Sequence, residues 1–391
     1  MAQLPEGEPV PDDGSLPEAA LERVGERGFG VYLHVPFCAS RCGYCDFNTY
    51  TATELGGADT EGYVEAIEKE LALAKRWVDR KVDTVFVGGG TPTMLRSEQL
   101  LRMLEAIDKT WGLASDAEVT TEANPESVTP QSLRELRRGG FTRVSLGMQS
   151  ASAKVLAVLD RKHTAGRAPE AALEAREAGF AHVNLDLIYG TPGETVEDFA
   201  QSLDRVVDAG VDHVSAYSLI VEDGTRLAAR VRKGELAAPD DDTAADRYLA
   251  AEDRLTRAGF SWYEVSNWAR DDEARCKHNL LYWRGGDWWG LGPGAHSHVG
   301  GVRWWNVKHP KRYADRLGEG KSPGLGREIL TAEQRHTEEV LLGLRLADGL
   351  AETDIDLSKV QGGLIETKDG RATLTLRGRL LADAVVRDLL T

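Results

Sequence analysis

The chain lacks any run of about 18 apolar residues, so hydropathy offers no membrane-spanning helix. Positive charge is also in short supply: 47 Lys and Arg stand against 63 Asp and Glu, a formal net charge of -16. A surface of that sign repels phosphate backbones and anionic lipid, which argues against nucleic acid as a partner. The first 14 residues are acidic and rich in proline, with neither a basic n-region nor an apolar h-region, and a cytoplasmic location is expected. Cysteine is scarce as well. Four thiols in 391 residues do not read as a disulfide framework, which agrees with a reducing compartment. With 41% hydrophobic residues, there is apolar material for one large domain and one or two smaller modules.

Three of those four cysteines fall within eight residues, in His34-Val35-Pro36-Phe37-Cys38-Ala39-Ser40-Arg41-Cys42-Gly43-Tyr44-Cys45-Asp46-Phe47. Thiolates bind iron and zinc, and a short loop carrying Cys38, Cys42 and Cys45 can wrap one face of a cluster while leaving one metal atom without a protein ligand. A structural zinc or an electron-transfer ferredoxin needs a fourth protein ligand. None follows Cys45 closely, so the distant Cys276 would have to fold back. On the cysteines alone both arrangements stand.

Around that loop the chain alternates strands and helices. Residues 1–28 contain Pro5, Pro9, Pro11 and Pro17 among several acids and are expected to form a disordered tail. Apolar runs predict strands over residues 31–35, 82–87, 117–122, 144–148, 183–188 and 214–219. Between them lie helical patterns, among them 61–77, 97–110 and one opening at Pro130 with Thr129 as its N-cap. Six βα units imply an α/β fold in which helices cover a parallel sheet, and six are too few for an eight-fold barrel, so a curved, partly open (β/α)6 barrel is expected. Parallel sheets place function at the carboxyl ends of their strands. There stand the cysteine loop, Gly88-Gly89-Gly90-Thr91-Pro92, Glu122-Ala123-Asn124-Pro125 and Gln149-Ser150, with Asp186 inside the fifth strand. Each alone reads equally well as a tight turn or a solvated strand end.

Taken in order, the cysteine triad and these strand-end residues resemble the core of the radical S-adenosylmethionine (radical SAM) family. That resemblance implies a [4Fe-4S] cluster on Cys38, Cys42 and Cys45, with S-adenosylmethionine chelating the open iron. It further implies that Gly89, Gly90 and Thr91 receive the methionine amino group, and that Glu122, Gln149, Arg161 and Asp186 surround the rest. Tyr32 and Tyr44 would flank it. By spacing alone, Asp160-Arg161-Lys162 also reads as a charged helix end.

Beyond Ile220 the character changes. Residues 240–259 predict a helix, and residues 260–305 hold seven of the nine tryptophans. Such density serves core packing or a flat aromatic ligand. His278 reads as a buried hydrogen-bonded histidine or a ligand, and His296 and His298, two apart on one strand face, could join Cys276 in a second metal site. His278-Asn279-Leu280-Leu281-Tyr282-Trp283 resembles the HNxxYW motif of the haem chaperones among the oxygen-independent coproporphyrinogen III oxidase-like proteins. The resemblance implies haem binding at His278, a haem-acceptor protein of respiratory type, and membrane association only through a partner; it admits a homodimer. Residues 331–391, with a helix over 333–346, a hairpin turning at Asp369-Gly370 and a closing helix over 379–390, resemble that family's winged-helix-like module.

The expected organisation is therefore a tail (1–28), a radical SAM core (29–235), an aromatic-rich α+β extension bearing the motif (236–325) and the small module (326–391). Two functions of different class compete. The radical decarboxylase of porphyrin biosynthesis ordinarily has a further cysteine one residue after the triad, whereas Asp46 and Phe47 follow Cys45 here. A radical methyltransferase would need another dedicated cysteine, for which Cys276 is the sole candidate. The motif favours haem binding and transfer; no catalytic residue is assigned.

Overall fold

The computed structural model describes residues 7–55, 57 and 59–390. Six consecutive strands build its centre: β2 (Phe29–Val35), β3 (Val82–Gly89), β4 (Leu113–Ala123), β5 (Arg143–Gln149), β6 (His182–Tyr189) and β7 (His213–Ser218), each paired in parallel with the next; β1 (Glu8–Pro9) precedes them. Registers such as Val31↔Val85, Val85↔Val119, Val144↔Val183 and Leu185↔Val214 line apolar side chains along one face, where the helices cover them. Period-two alternation then sends Thr84, Phe86, Glu118, Glu122, Ser145 and Asp186 to the other face. A Cβ on Gly88 of β3 would lie 3.1 Å from the Glu122 carboxylate of β4 and 3.2 Å from the Tyr32 ring of β2, so the side chains of this polar face converge in the lumen of the curved sheet.

Local chemistry sets the helices. Thr129 accepts from the Ser132 N–H at 3.1 Å and Pro130 opens the helix Pro130–Arg138, while the helices Thr60–Ala74 and Ser97–Trp111 lie close to their expected spans.

The aromatic extension is continuous with this sheet. β8 (Ser261–Glu264) and β9 (Asn267–Ala269) extend it antiparallel beyond β7. At the other edge β10 (Asp287–Leu291) pairs in parallel with β2, followed by a meander of β11 (His296–Val299), β12 (Val302–Asn306) and β13 (Gly324–Ile329). One core therefore holds Val31, Leu33, Trp289, Leu291 and Trp304 together.

The disordered tail expected over residues 1–28 is corrected over residues 7–28; residues 1–6 lie outside the described residues. β1 pairs with β13 through Glu8↔Arg327 and Pro9↔Gly326, and Leu16 and Ala20 enter the core. Proline has no N–H to donate, which bars it from a central strand but suits an edge.

The final segment builds its own core of Val340, Leu344, Leu364, Leu374, Val385, Val386 and Leu389. It comprises the helices Ala332–Gly343, Leu376–Leu380 and Ala382–Leu390 with a sheet of β14 (Leu350–Ala351), β15 (Ile365–Lys368) and β16 (Arg371–Leu374). Asp369 (φ 53°) and Gly370 (φ 73°) turn β15 into β16, as a two-residue hairpin requires. Among the described residues no helix is long and apolar enough to cross a membrane.

Candidate functional site

The cysteine loop leaves the carboxyl end of β2 and is closed by its own backbone. The Cys38 N–H donates to the Tyr50 carbonyl (3.0 Å) and the Tyr50 N–H to that of Pro36 (2.7 Å). Two other parts of the chain pin it. The Gly43 N–H donates to the Leu159 carbonyl (3.0 Å), and the Asn48 amide donates to the carbonyls of Pro293 and Lys308 (2.9 Å each). Cys38, Cys42 and Cys45 are left half-buried.

β3 approaches so closely that side chains are excluded. A Cβ on Gly89, whose φ is +114°, would lie 2.8 Å from the Val35 carbonyl oxygen, and one on Gly90 would lie 2.5 Å from that of Phe37 and 2.9 Å from the Cys38 sulfur. The N–H groups of Gly89, Gly90 and Thr91 are taken by the Glu122 carboxylate (3.0 Å), Val35 O (2.8 Å) and Phe37 O (2.8 Å). What this turn can offer an ammonium group is carbonyl oxygen.

Two carboxyls face the same space. Burial, then the neighbouring Asp186 charge, pushes Glu122 up to about 7 against the pull of the Gly89 N–H. Burial also raises Asp186, although the Ser145 hydroxyl (3.0 Å) and the Asn184 amide (2.7 Å) donate to it. Gln149 is one of three non-glycine residues with positive φ (66°) among those described, at a register shift between Gly147 and Gln149 that ends β5. Arg161 belongs here too. Asp160, at φ 53°, turns the chain back so that the Arg161 guanidinium donates to the Gly147 carbonyl (3.0 Å) and lies 3.6 Å from the Cys42 sulfur. Tyr44 interacts electrostatically with Cys42, Arg161 and Asp186; the Tyr32 hydroxyl meets His34 Nδ1 at 3.0 Å. Twelve of the thirteen expected residues thus gather at one end of the lumen.

The thirteenth does not. His278 stands on the helix Lys277–Trp283 at the lumen's other end, level with Thr84, whose hydroxyl meets its Nδ1 at 2.8 Å. From Glu118, which accepts the His278 backbone N–H at 3.0 Å, to Glu122 the strand rises about 13 Å. The ring is sealed: 1% exposed, stacked on Phe86 (5.1 Å, 25°) and edge-on to Tyr282 (4.6 Å). Phe86 stacks in turn on Tyr32 (6.3 Å), so aromatic rings fill the lumen between the two ends. Burial lowers the His278 imidazole to about 4, and among the described residues its Nε2 has no hydrogen-bond partner. A neutral imidazole with an unused nitrogen is what iron ligation requires.

Sequence patterns missed what supports this helix. Although burial raises the Glu118 carboxyl, Arg143 (2.9 Å) and the N–H groups of His278 and Lys277 outweigh it and hold it below its ordinary range. Glu118 also accepts from Cys276 Sγ at 3.4 Å, which places Cys276 far from the cysteine loop. Counting back in twos from Gly88 would have found Thr84 and Phe86 on the luminal face; nothing in the sequence pairs Arg143 with Glu118. Among the described residues no three His, Cys, Asp or Glu side chains gather around one ion, so Cys276, His296 and His298 do not form the second metal site and Cys276 does not complete a zinc site. A cluster is broader than an ion, and thiolates that hold one stand correspondingly apart. Three half-buried thiols on one pinned loop, with no fourth cysteine near them among the described residues, suit such a body with one open iron.

The Radical SAM superfamily model matches residues 32–206. A heme chaperone HemW of Mycobacterium tuberculosis is 56% identical over 370 residues, 93% of this chain and 95% of that protein. The chain belongs to the HemW family. The HemW of Bacillus subtilis is 32% identical over 91% of this chain and 97% of its own. The structure titled as coproporphyrinogen III oxidase (HemN) from Escherichia coli superposes with a TM-score of 0.81 at 24% identity, covering 97% of this chain and 94% of that one, and so shares the fold. In this HemW family member the parallel sheet runs one strand beyond the superfamily match at each edge, through β7 and β10. A radical SAM domain carries a [4Fe-4S] cluster and S-adenosylmethionine; the cluster supplies one electron and S-adenosylmethionine the radical it releases.

Proposed function

We propose that this protein binds haem and hands it to an acceptor haemoprotein in the cytoplasm, with a [4Fe-4S] cluster on Cys38, Cys42 and Cys45 and S-adenosylmethionine beside it. The near full-length likeness to a HemW at 56% identity carries the reading. In it, carbonyls of Gly89 and Gly90 with the Thr91 hydroxyl take the methionine ammonium, and Glu122, Gln149, Arg161 and Asp186 take the remaining polar groups between Tyr32 and Tyr44. Glu122 and Asp186 suit cationic groups, and Arg161 suits a carboxylate. The unused Nε2 of His278 supports its role as a haem ligand in a state where its helix has moved.

The test is anaerobic. Reconstituted protein receives haem in one arm, and coproporphyrinogen III with S-adenosylmethionine and a reductant in the other. Stoichiometric haem binding without a decarboxylated product is expected; conversion to protoporphyrinogen would establish the oxidase instead. His278→Ala is expected to weaken haem binding at least about tenfold, about 1.4 kcal/mol, with iron content unchanged. Unchanged affinity would remove His278 as a ligand.

A further inference from the structure

β6 and β7 bring polar side chains together inside the sheet. Asn184 and Asp186 are two apart on β6 and so share its luminal face, and across the ladder Asn184 pairs with His213 while Asp186 pairs with Ser215. Asn184, His213 and Ser215 are buried, as is Tyr263 of β8, which reaches His213 from the extension. Buried polar groups need hydrogen-bond partners, and these find them in one another.

Their donors all point one way. The Asn184 amide nitrogen lies 2.7 Å from an Asp186 carboxylate oxygen and 2.7 Å from the Ser145 hydroxyl, which itself donates to that carboxylate. The amide oxygen therefore faces away, 2.7 Å from His213 Nδ1. An amide oxygen only accepts, so the imidazole proton sits on Nδ1. Burial, then the Arg143 charge, hold this imidazole well below its usual range, so it is neutral and Nε2 keeps a lone pair. The Tyr263 hydroxyl donates to that lone pair at 2.8 Å, and its oxygen accepts the Cys276 N–H at 3.2 Å. Cys276 is the N-cap residue of the helix Lys277–Trp283, which bears His278. One unbroken run of hydrogen bonds thus leads from the start of that helix to Asp186, each link polarising the next.

We propose that Tyr263, His213 and Asn184 are positioning residues that couple the helix Lys277–Trp283 to Asp186, so that a shift of the helix changes how tightly the cysteine end holds S-adenosylmethionine. The proposal rests on the reading of Asp186 as a contact of S-adenosylmethionine. The Asn184 amide and the Ser145 hydroxyl set the orientation in which the carboxylate meets a cationic group. A helix that moves takes the Cys276 N–H from Tyr263; the hydroxyl is then free to turn from His213, and the tautomer that fixes Asn184 loses its support. Linkage requires the converse, that a ligand on Asp186 steadies the start of the helix by the same factor.

S-adenosylmethionine binding is measured by equilibrium dialysis on the full-length protein after anaerobic reconstitution, for the wild type, Tyr263→Phe, Asn184→Ala and the double variant. Tyr263→Phe removes one oxygen, and Arg143 still holds the segment through the carbonyls of Ala274 (2.8 Å) and Arg275 (3.1 Å). Each single variant is expected to weaken binding at least threefold, and Tyr263→Phe to add nothing once Asn184 is Ala, because the run is already cut. A general loosening of the fold would instead multiply the two factors. Hydrogen exchange of the wild type, which needs no variant, is expected to slow at least threefold at the Cys276 N–H when S-adenosylmethionine is added. Wild-type affinity in Tyr263→Phe, multiplied factors in the double variant, or unchanged exchange at Cys276 would each overturn the coupling and leave the S-adenosylmethionine reading standing. Absence of S-adenosylmethionine binding by the wild type would overturn that reading, and the coupling with it.

Discussion

Gly90 shows how little room the cysteine end leaves. The atom a substituted Cβ would strike at 2.5 Å is the backbone oxygen of Phe37, which cannot rotate away as a side-chain tip can. Gly90→Ala is therefore expected to cost about 1–3 kcal/mol, in line with overpacking, and to do so beside Cys38. Iron bound per chain after anaerobic reconstitution should fall by half or more; full loading with an unchanged unfolding midpoint would show that the loop yields freely. Glu122, one strand over, differs in kind. Its carboxyl is pushed to about 7 by burial and by Asp186, so it stands ready to be charged when a cation arrives.

At the scale of elements, the cysteine loop is held as much by the distant extension as by its own turn. Asn48 donates to the carbonyls of Pro293 and Lys308, some 250 residues on, and the Tyr50 hydroxyl joins it on Lys308 (3.1 Å). Removing a donor while its acceptors stay in place costs about 1–3 kcal/mol. Asn48→Ala is expected to loosen the loop, so that a chelator strips iron from the reconstituted protein several-fold faster. An unchanged rate would mean the loop needs nothing from the extension. The tail obeys the same logic in reverse: Glu8–Pro9 is ordered because β13 offers it an edge and the Arg327 guanidinium meets Glu8 at 2.6 Å.

For the molecule as a whole, Glu70 joins the helix Thr60–Ala74 to the extension. Buried, it accepts from the Tyr313 hydroxyl, the Gly292 N–H (2.9 Å) and the Asn306 amide (2.8 Å). Burial outweighs these donors and raises its carboxyl from 4.5 to about 7. A group whose folded pKa is raised binds more protons when folded, so its contribution to stability is complete below about 4.5 and is lost as pH rises through about 7. Glu70→Gln, which mimics the protonated form, is expected to flatten the fall in Tm between pH 5 and 7. A fall as steep as in the wild type would assign the effect to other raised carboxyls, such as Glu194 and Glu264, each at about 7.

The parallel core and the end where its loops converge follow from local pattern. Apolar runs of four to eight residues fix strands, period two fixes their faces, and parallel order carries the following loops to one edge, so Cys38, Gly89, Glu122 and Asp186 were legible together. The remaining contacts depend on partners far apart in the chain. β10 beside β2, β1 on β13, and Arg143 on Glu118 carry no local signature, because any apolar or charged segment of the right length reads alike before its neighbour is known. The same holds for the two histidines. The motif marked His278, but only the packing of Phe86 and Tyr282 seals it within the lumen, and only the carbonyl of Gly286 fixes the ring of His298.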